Sequence, residues 1–264
     1  MKDHDDIKKQ VKSGYAKIAS KGSSCCSGSS CCGSVDVAKI SKKIGYTESD
    51  IESVPEGANL GLGCGNPVAI ASLKEGDIVL DLGSGAGFDA FLAAKKVGNS
   101  GKVLGVDMTT EMIEKARSNA KKGNYSNVEF RLGEIEKLPV DDNSIDVIIS
   151  NCVINLSTDK ESVFREAYRV LKDGGKLMVS DLVLKKELPK NIRESVEAYV
   201  GCVAGAILKE AYIEQISKAG FKEIRIMDES PYAIESVSNN PTNSGKLLND
   251  ALNYVISLKI YARK

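Results

Sequence analysis

Two of the singly placed cysteines of this chain stand among glycines, Cys64 in GLGCGNP and Cys202 in GCVAGA. A third, Cys152, lies in SNCVINL. Four more form vicinal pairs, Cys25–Cys26 and Cys31–Cys32, in the stretch KGSSCCSGSSCCGS. A free cysteine is most often a small buried hydrophobe. Glycine on both sides of a thiol suits the approach of a ligand better than close packing. Thiolates gathered at one place favour a soft, thiophilic centre, zinc or a trivalent metalloid. The chain has a single histidine, His4, which argues against a histidine base or a His-rich zinc site. Two vicinal pairs on a Ser/Gly linker also make a poor tetrahedral cage, because adjacent cysteines point apart.

A second group of residues suggests what the thiols work beside. The stretch LDLGSGAGFD places Gly83, Gly85 and Gly87 after Asp81. Glycines there let the backbone turn tightly and approach a ligand with no Cβ in the way. The dinucleotide fingerprint wants glycine three residues after the second one, and Phe88 stands there. Asp107, twenty residues past Gly87, is placed to accept hydrogen bonds from ribose hydroxyls.

These residues need elements to hold them. From residue 77 the chain alternates short apolar strands with amphipathic helices. The strands are DIVLDLG, KVLGVDM, NVEFRLG, SIDVIISN and KLMVSDLVL. The helices are FDAFLAAKKVG, TTEMIEKARSNAKKGN and DKESVFREAYRVLKDGG, the last closing on a glycine stop. Such alternation predicts a parallel sheet covered on both faces. Ligands then bind beyond the carboxyl ends of the strands, where Cys64, Cys152 and Cys202 can converge. Upstream, Ile7, Val11, Tyr15 and Ile18 predict a helix over residues 1–20, and a short one is expected at about 35–44. TESD at Thr47 reads as a capping box, and Asn66–Pro67 as a helix start. Helices are expected at about 190–200 and 209–219, then two last strands, FKEIRIMDE and LNYVISLKIYARK, joined by a long polar loop.

The ordered set of glycine loop, Asp107, LGEIEKLP and SNCVINL resembles the class I S-adenosylmethionine-dependent methyltransferases over about residues 70–182 and the final strands. The resemblance implies a doubly wound, mostly parallel, seven-stranded Rossmann-like α/β sheet with an antiparallel last strand. It implies that Asp81, Gly83, Ser84 and Gly85 hold the methionine end of S-adenosylmethionine. Asp107 and Met108 would serve the ribose, Glu134 and Ile135 the adenine, and Asn151 the end of the fourth strand near the cofactor.

The donor carries a reactive methyl on a sulfonium. Trivalent arsenic held by three thiolates is pyramidal and keeps a lone pair that can attack such a methyl without a general base. The motifs GLGCGNP, SNCVINLSTDK and GCVAGAI are similar to those of the arsenite methyltransferases. Cys64, Cys152 and Cys202 match that family's three inner cysteines. The family's fourth cysteine lies further N-terminal, and the resemblance points to the pair Cys31–Cys32, both as substrate-binding thiols and Cys32 as the catalytic one, with Cys25 and Cys26 as extra. It implies a disulfide formed during the cycle and reopened by a thiol reductant such as thioredoxin or a glutathione-like thiol. Arsenic is then the substrate, and no resident metal is expected.

Other functions compete on the same residues. A quinone or other small-molecule C-methyltransferase would share the glycine loop but has no use for the cysteine trio. A thiolate protein that sequesters metal without turnover would not need Asp81, Gly83, Gly85 and Asp107. A dehydrogenase is disfavoured by Phe88. Acids and bases balance at 36 each, so no basic excess points to nucleic acid. No apolar run approaches the roughly 20 residues of a membrane helix. The N-terminus lacks the apolar core of a signal peptide. A cytoplasmic monomer acting on a small molecule is the expectation. Three regions are expected: residues 1–70, N-terminal helices and the Cys-rich segment; 71–185, the cofactor-binding core; and 186–264, substrate-binding helices and the strands completing the sheet.

Overall fold

Every strand of the central sheet but one runs in the same direction. The computed structural model describes residues 4–21, 37–189, 192, 202–232 and 253–264. The strands are β1 (Ile78–Leu82), β2 (Lys102–Asp107), β3 (Val128–Leu132), β4 (Ile145–Asn151), β5 (Leu171–Leu184), β6 (Lys222–Pro231) and β7 (Val255–Arg263). They form one seven-stranded sheet in the order β3-β2-β1-β4-β5-β7-β6, with β7 antiparallel to both its neighbours. The expected α/β architecture and its antiparallel last strand are therefore present.

The pleat divides the core. Leu80, Leu82 and Ile148 face one side and pack with Val163, Phe164 and Ala167 of α7 (Lys160–Val170) and Tyr212 and Ile216 of α8 (Lys209–Lys218). Val79, Val147 and Ile149 face the other side. They pack with Phe91 and Ala94 of α5 (Phe88–Val97) and Ile113 and Ala116 of α6 (Thr110–Lys122). Burial of such strands on both faces is why they read as near-continuous apolar runs. The chain winds from β1 outward through β2 to β3 and then returns to β4 on the other side of β1, so the strand order reverses between β1 and β4. A crevice opens at the carboxyl ends of β1 and β4, which is where ligands bind in open α/β sheets.

The N-terminal helices follow their local signals. Helix α1 spans His4–Lys21, α2 Val37–Lys43, α3 Glu48–Glu52 and α4 Pro67–Ile70. Thr47 caps α3 through a reciprocal pair with Asp50, and Asn66 caps α4 by accepting from the Ala69 N–H. Helix α1 lays Val11, with Ile7 and Tyr15, on the cluster that contains Cys64, Cys152 and Cys202. Further along, its Ile18 and Ala19 pack on Ala86 and Met112.

One expected boundary is corrected. The helix read as running to the glycine stop ends at Val170 instead, and Leu171 turns extended and pairs with Ile145. The carbonyls of Arg169 and Val170 accept from the N–H groups of Asn143 and Ser144. The loop before β4 thus takes the helix's last acceptors, and the strand begins there. The helix expected at 190–200, apart from Ile192, the polar loop from 233 onward, and all four linker cysteines lie outside the described residues. No helix among the described residues is long and apolar enough to cross a membrane.

Candidate active site

The glycine loop forms a backbone cradle at the end of β1. Gly83, Gly85 and Gly87 all have positive φ. The Ser84 N–H donates to the Val106 carbonyl at 3.0 Å, and the Gly87 N–H to the Ser84 carbonyl at 2.8 Å. Asp107 anchors the loop to β2: one carboxylate oxygen accepts from the Gly85 N–H at 3.0 Å, the other from the Thr109 N–H at 2.8 Å. Burial nevertheless raises Asp107, and these backbone donors oppose the rise.

The cradle opens into a cavity lined by Asp81, Ser84, Asp107 and Met108 on one side and by Cys152 and Cys202 on the other. Asp81 is buried and sits near the carboxyls of Asp89 and Asp107. Loss of water is the largest cause that raises it, and those neighbours add to it. Its Oδ2 and the Ser84 Oγ are buried without a hydrogen-bond partner among the described residues. Two orphaned acceptors on a glycine cradle, in an acidic cavity, fit a cationic ligand with polar groups of its own. S-adenosylmethionine, a sulfonium that also carries an amino group and hydroxyls, is a ligand of that kind.

The cavity departs from the expected adenine contacts at one position. Gly133, Ile135 and Glu136 line it, whereas Glu134 does not. Glu134 is half exposed and receives Lys8 of α1 at 2.8 Å; Lys8 also lies 3.6 Å from Glu136. The chain leaves β3 with Glu134 turned outward in a bridge to Lys137.

Three elements bring the thiols together. Cys64 lies on the loop before α4, Cys152 directly follows β4, and Cys202 lies beyond β5. All three are free and buried. The Cys64 thiol faces the Ser180 carbonyl at 3.5 Å, and the Cys152 N–H donates to that carbonyl at 2.8 Å. The Cys202 thiol donates to the Cys152 carbonyl at 2.9 Å. The Cys152 thiol interacts with both of the others. Cys152 and Cys202 have φ of 57° and 63°, a conformation side-chain-bearing residues rarely adopt. Such strain persists where surroundings over-determine it, often at ligand clamps. Burial pushes the Cys64 thiol up and the Cys152 thiol well up, so both are held as neutral thiols near neutral pH.

Asn151 lines the cavity as expected, but its amide also builds the thiol end. Its Oδ1 accepts from the Cys64 N–H at 3.0 Å. Its Nδ2 donates toward the Gly65 carbonyl at 2.8 Å, the Tyr46 hydroxyl at 2.9 Å and Asp89 Oδ2 at 3.0 Å. Tyr46 in turn donates to Asp89 Oδ1 at 2.6 Å. Asn151 is thereby the post on which the Cys64 loop hangs. Its position at a strand end gave the signal for a cofactor contact and none for this role.

The buried Asp89 sets a pH prediction. Burial raises it to about 6, against the hydrogen bonds from Tyr46 and Asn151 that favour its charged form. Its folded value lies above the ordinary carboxylate value of about 3.9, so the native state holds this proton longer than the unfolded chain. Stability from this group is full below about pH 4 and is lost as pH rises toward 6. Urea unfolding of Asp89→Asn against the parent should show the parent losing on the order of 1–3 kcal/mol relative to the variant across that window. Parallel profiles would refute the assignment.

Comparison with known proteins supplies independent findings. A family model described as a methyltransferase domain matches residues 73–231. An arsenite methyltransferase of Halobacterium salinarum is 45% identical over 273 aligned residues, covering 100% of this chain and 68% of that protein. An arsenite methyltransferase of Aquipseudomonas alcaligenes is 43% identical over 65% of this chain and 51% of its own length. The chain thus spans about two thirds of the first relative and about half of the second. The crystal structure of an arsenic(III) S-adenosylmethionine methyltransferase from Chlamydomonas reinhardtii superposes with a TM-score of 0.65 at 36% identity, over 86% of this chain and 72% of that one.

Proposed function

The chain belongs to the arsenite methyltransferase family, and on that footing we propose that it transfers methyl from S-adenosylmethionine to trivalent arsenic held by Cys64, Cys152 and Cys202. The observation that carries the reading is the cavity itself, with an acid-lined glycine cradle on one side, the Cys152 and Cys202 thiols on the other, and the Cys64 thiol just behind its wall, beside Cys152.

When bound, the cofactor supplies an electrophilic methyl on a cationic sulfur. Asp81 and Ser84, with their unpartnered acceptors, hold the polar end of that cofactor, and the backbone of Gly83 and Gly85 lets it come close. Asp107 fixes the loop and serves the ribose from the same carboxylate. Ile135 packs on the adenine side, with Glu136 in the place expected of Glu134. The three cysteines hold arsenic so that its lone pair faces the cradle.

Neutral thiols suit this task. Arsenite, As(OH)₃, exchanges three hydroxyls for three thiols and releases three waters, so no net charge enters the buried pocket. A site that had to gather three free thiolates first would pay a large desolvation cost. Attack by the lone pair raises arsenic to the pentavalent level. Two thiolates return the electron pair by joining as a disulfide, which restores the trivalent state. We assign that step to a linker thiol, Cys32 before Cys31, with a thioredoxin-like or small thiol reopening the bond. Such a cycle calls for a reducing, cytoplasm-like compartment and needs no second copy of the chain.

The test is direct. Purified protein with arsenite, S-adenosylmethionine and a thiol is expected to yield methylated arsenic, measured by chromatography with arsenic-specific detection. No methylated arsenic under every reductant tried overturns the reading. Tight arsenite binding without product would point to sequestration, and methylation of a quinone instead would point to the C-methyltransferase alternative.

A further inference from the structure

Asp181 has no part in the steps above, yet it belongs to the thiol cluster. It follows Ser180 on β5, the residue whose carbonyl meets both Cys64 and Cys152. One carboxylate oxygen of Asp181 and the sulfurs of Cys64 and Cys152 all lie within 4.8 Å of one another, and all three residues are buried. The carboxylate is firmly placed. Its Oδ2 accepts from the Tyr212 hydroxyl at 3.0 Å and the Asn155 N–H at 3.2 Å, and its Oδ1 from the Leu182 N–H at 2.9 Å. A carboxylate offers about four acceptor sites, so three donors leave one over, with both thiols within reach of the carboxylate. The buried ammonium of Lys160 attracts it.

Arsenic uses three sulfurs and leaves a lone pair, so it has no need of this oxygen. A divalent d¹⁰ cation differs: it takes cysteine sulfur and carboxylate oxygen together and fills four positions around itself. We infer that Cys64, Cys152 and Asp181 form a site for a divalent cation of the zinc or cadmium class, overlapping the arsenic seat. Binding releases two thiol protons to solvent and changes no oxidation state. Two thiolates and one carboxylate then exceed the cation's charge by one, and Lys160 offsets the difference. Such a cation has no lone pair to offer a methyl donor. Its occupancy therefore blocks arsenic and gives a complex that cannot turn over. The inference goes beyond the methyl-transfer reading and requires neither cofactor nor turnover.

Cadmium is the probe, because its bonds to thiolates absorb in the ultraviolet. The full chain is used with Cys25, Cys26, Cys31 and Cys32 changed to serine, since those thiols would bind cadmium as well. One equivalent should bind, and arsenite added first should prevent it. Asp181→Asn should weaken binding by about tenfold or more. On the chain that keeps Asp181, cadmium-113 resonance should fall in the range of mixed sulfur and oxygen coordination. No cadmium uptake, unchanged affinity in Asp181→Asn, or an all-sulfur resonance each overturns the site. The resonance decides if that variant fails to fold. Arsenic methylation measured in cadmium-free buffer stands or falls separately.

Discussion

Cys152→Ser is expected to abolish arsenic methylation while leaving S-adenosylmethionine binding intact, and Cys202→Ser to do the same. The Cys152 thiol interacts with both of its partners, so its loss breaks the triangle at the centre. A serine hydroxyl is a hard oxygen donor and a poor ligand for a soft trivalent centre. Two remaining sulfurs could hold arsenic only as a dithiolate with free rotation, and the lone pair would no longer be aimed. Misplacing a reacting atom by about 1 Å can cost on the order of 10²-fold, and losing a ligand misplaces it further. Cys152→Ser keeps the volume, the φ of 57° and the hydrogen bond from its N–H to Ser180, so a folding defect is not the expected cause. Equilibrium dialysis should show arsenite affinity lost and cofactor affinity kept. Full turnover in both variants would show that the thiol site is assigned wrongly.

That site was legible in the sequence because its parts are local. Each cysteine lies in its own short motif, and the doubly wound pattern brings the three regions to one edge. The glycine cradle and Asp107 were readable for the same reason, since a strand, a tight turn and an acid follow one another closely. What could not be read depends on partners distant in the chain. Asn151 reaches Cys64 across 87 positions and Tyr46 across 105. Lys8 meets Glu134 across 126. Nothing in LGEIEKLP says which of two near-adjacent glutamates turns outward, because a bridge to Lys137 and a pair with α1 decide it. The end of α7 follows the same rule: glycines at 174 and 175 are a strong local stop signal, but the loop before β4 takes the last carbonyls first. Asp181 did leave a mark, as an acid inside the apolar run VSDLVL. Its meaning depended on thiols that lie far away in sequence.

The two halves of the cavity meet at Gly83 and Val153, and that contact yields the second large effect. A Cβ built on Gly83 would stand 2.3 Å from Val153 Cγ2 and 2.7 Å from Val153 Cβ, at a φ of +65°. Val153 directly follows Cys152. It cannot retreat freely, because its carbonyl accepts from the Leu156 N–H and Cys152 is tied to Ser180. The cofactor cradle and the thiol turn are thus packed against each other with no spare room. Gly83→Ala adds a left-handed penalty of about 1–2 kcal/mol to an overpacking cost of about 1–3 kcal/mol. If the turn yields, Cys152 moves with it. Both S-adenosylmethionine and arsenite should then bind roughly tenfold to a thousandfold more weakly, although the substitution touches no thiol. Val153→Gly in the same chain removes every Val153 atom in the clash and should restore arsenite affinity in large part. It should restore cofactor affinity less, because the backbone penalty at residue 83 remains. Arsenite affinity that stays at the parent value in Gly83→Ala, or that is not recovered by Val153→Gly, would mean the two halves are not coupled through this contact.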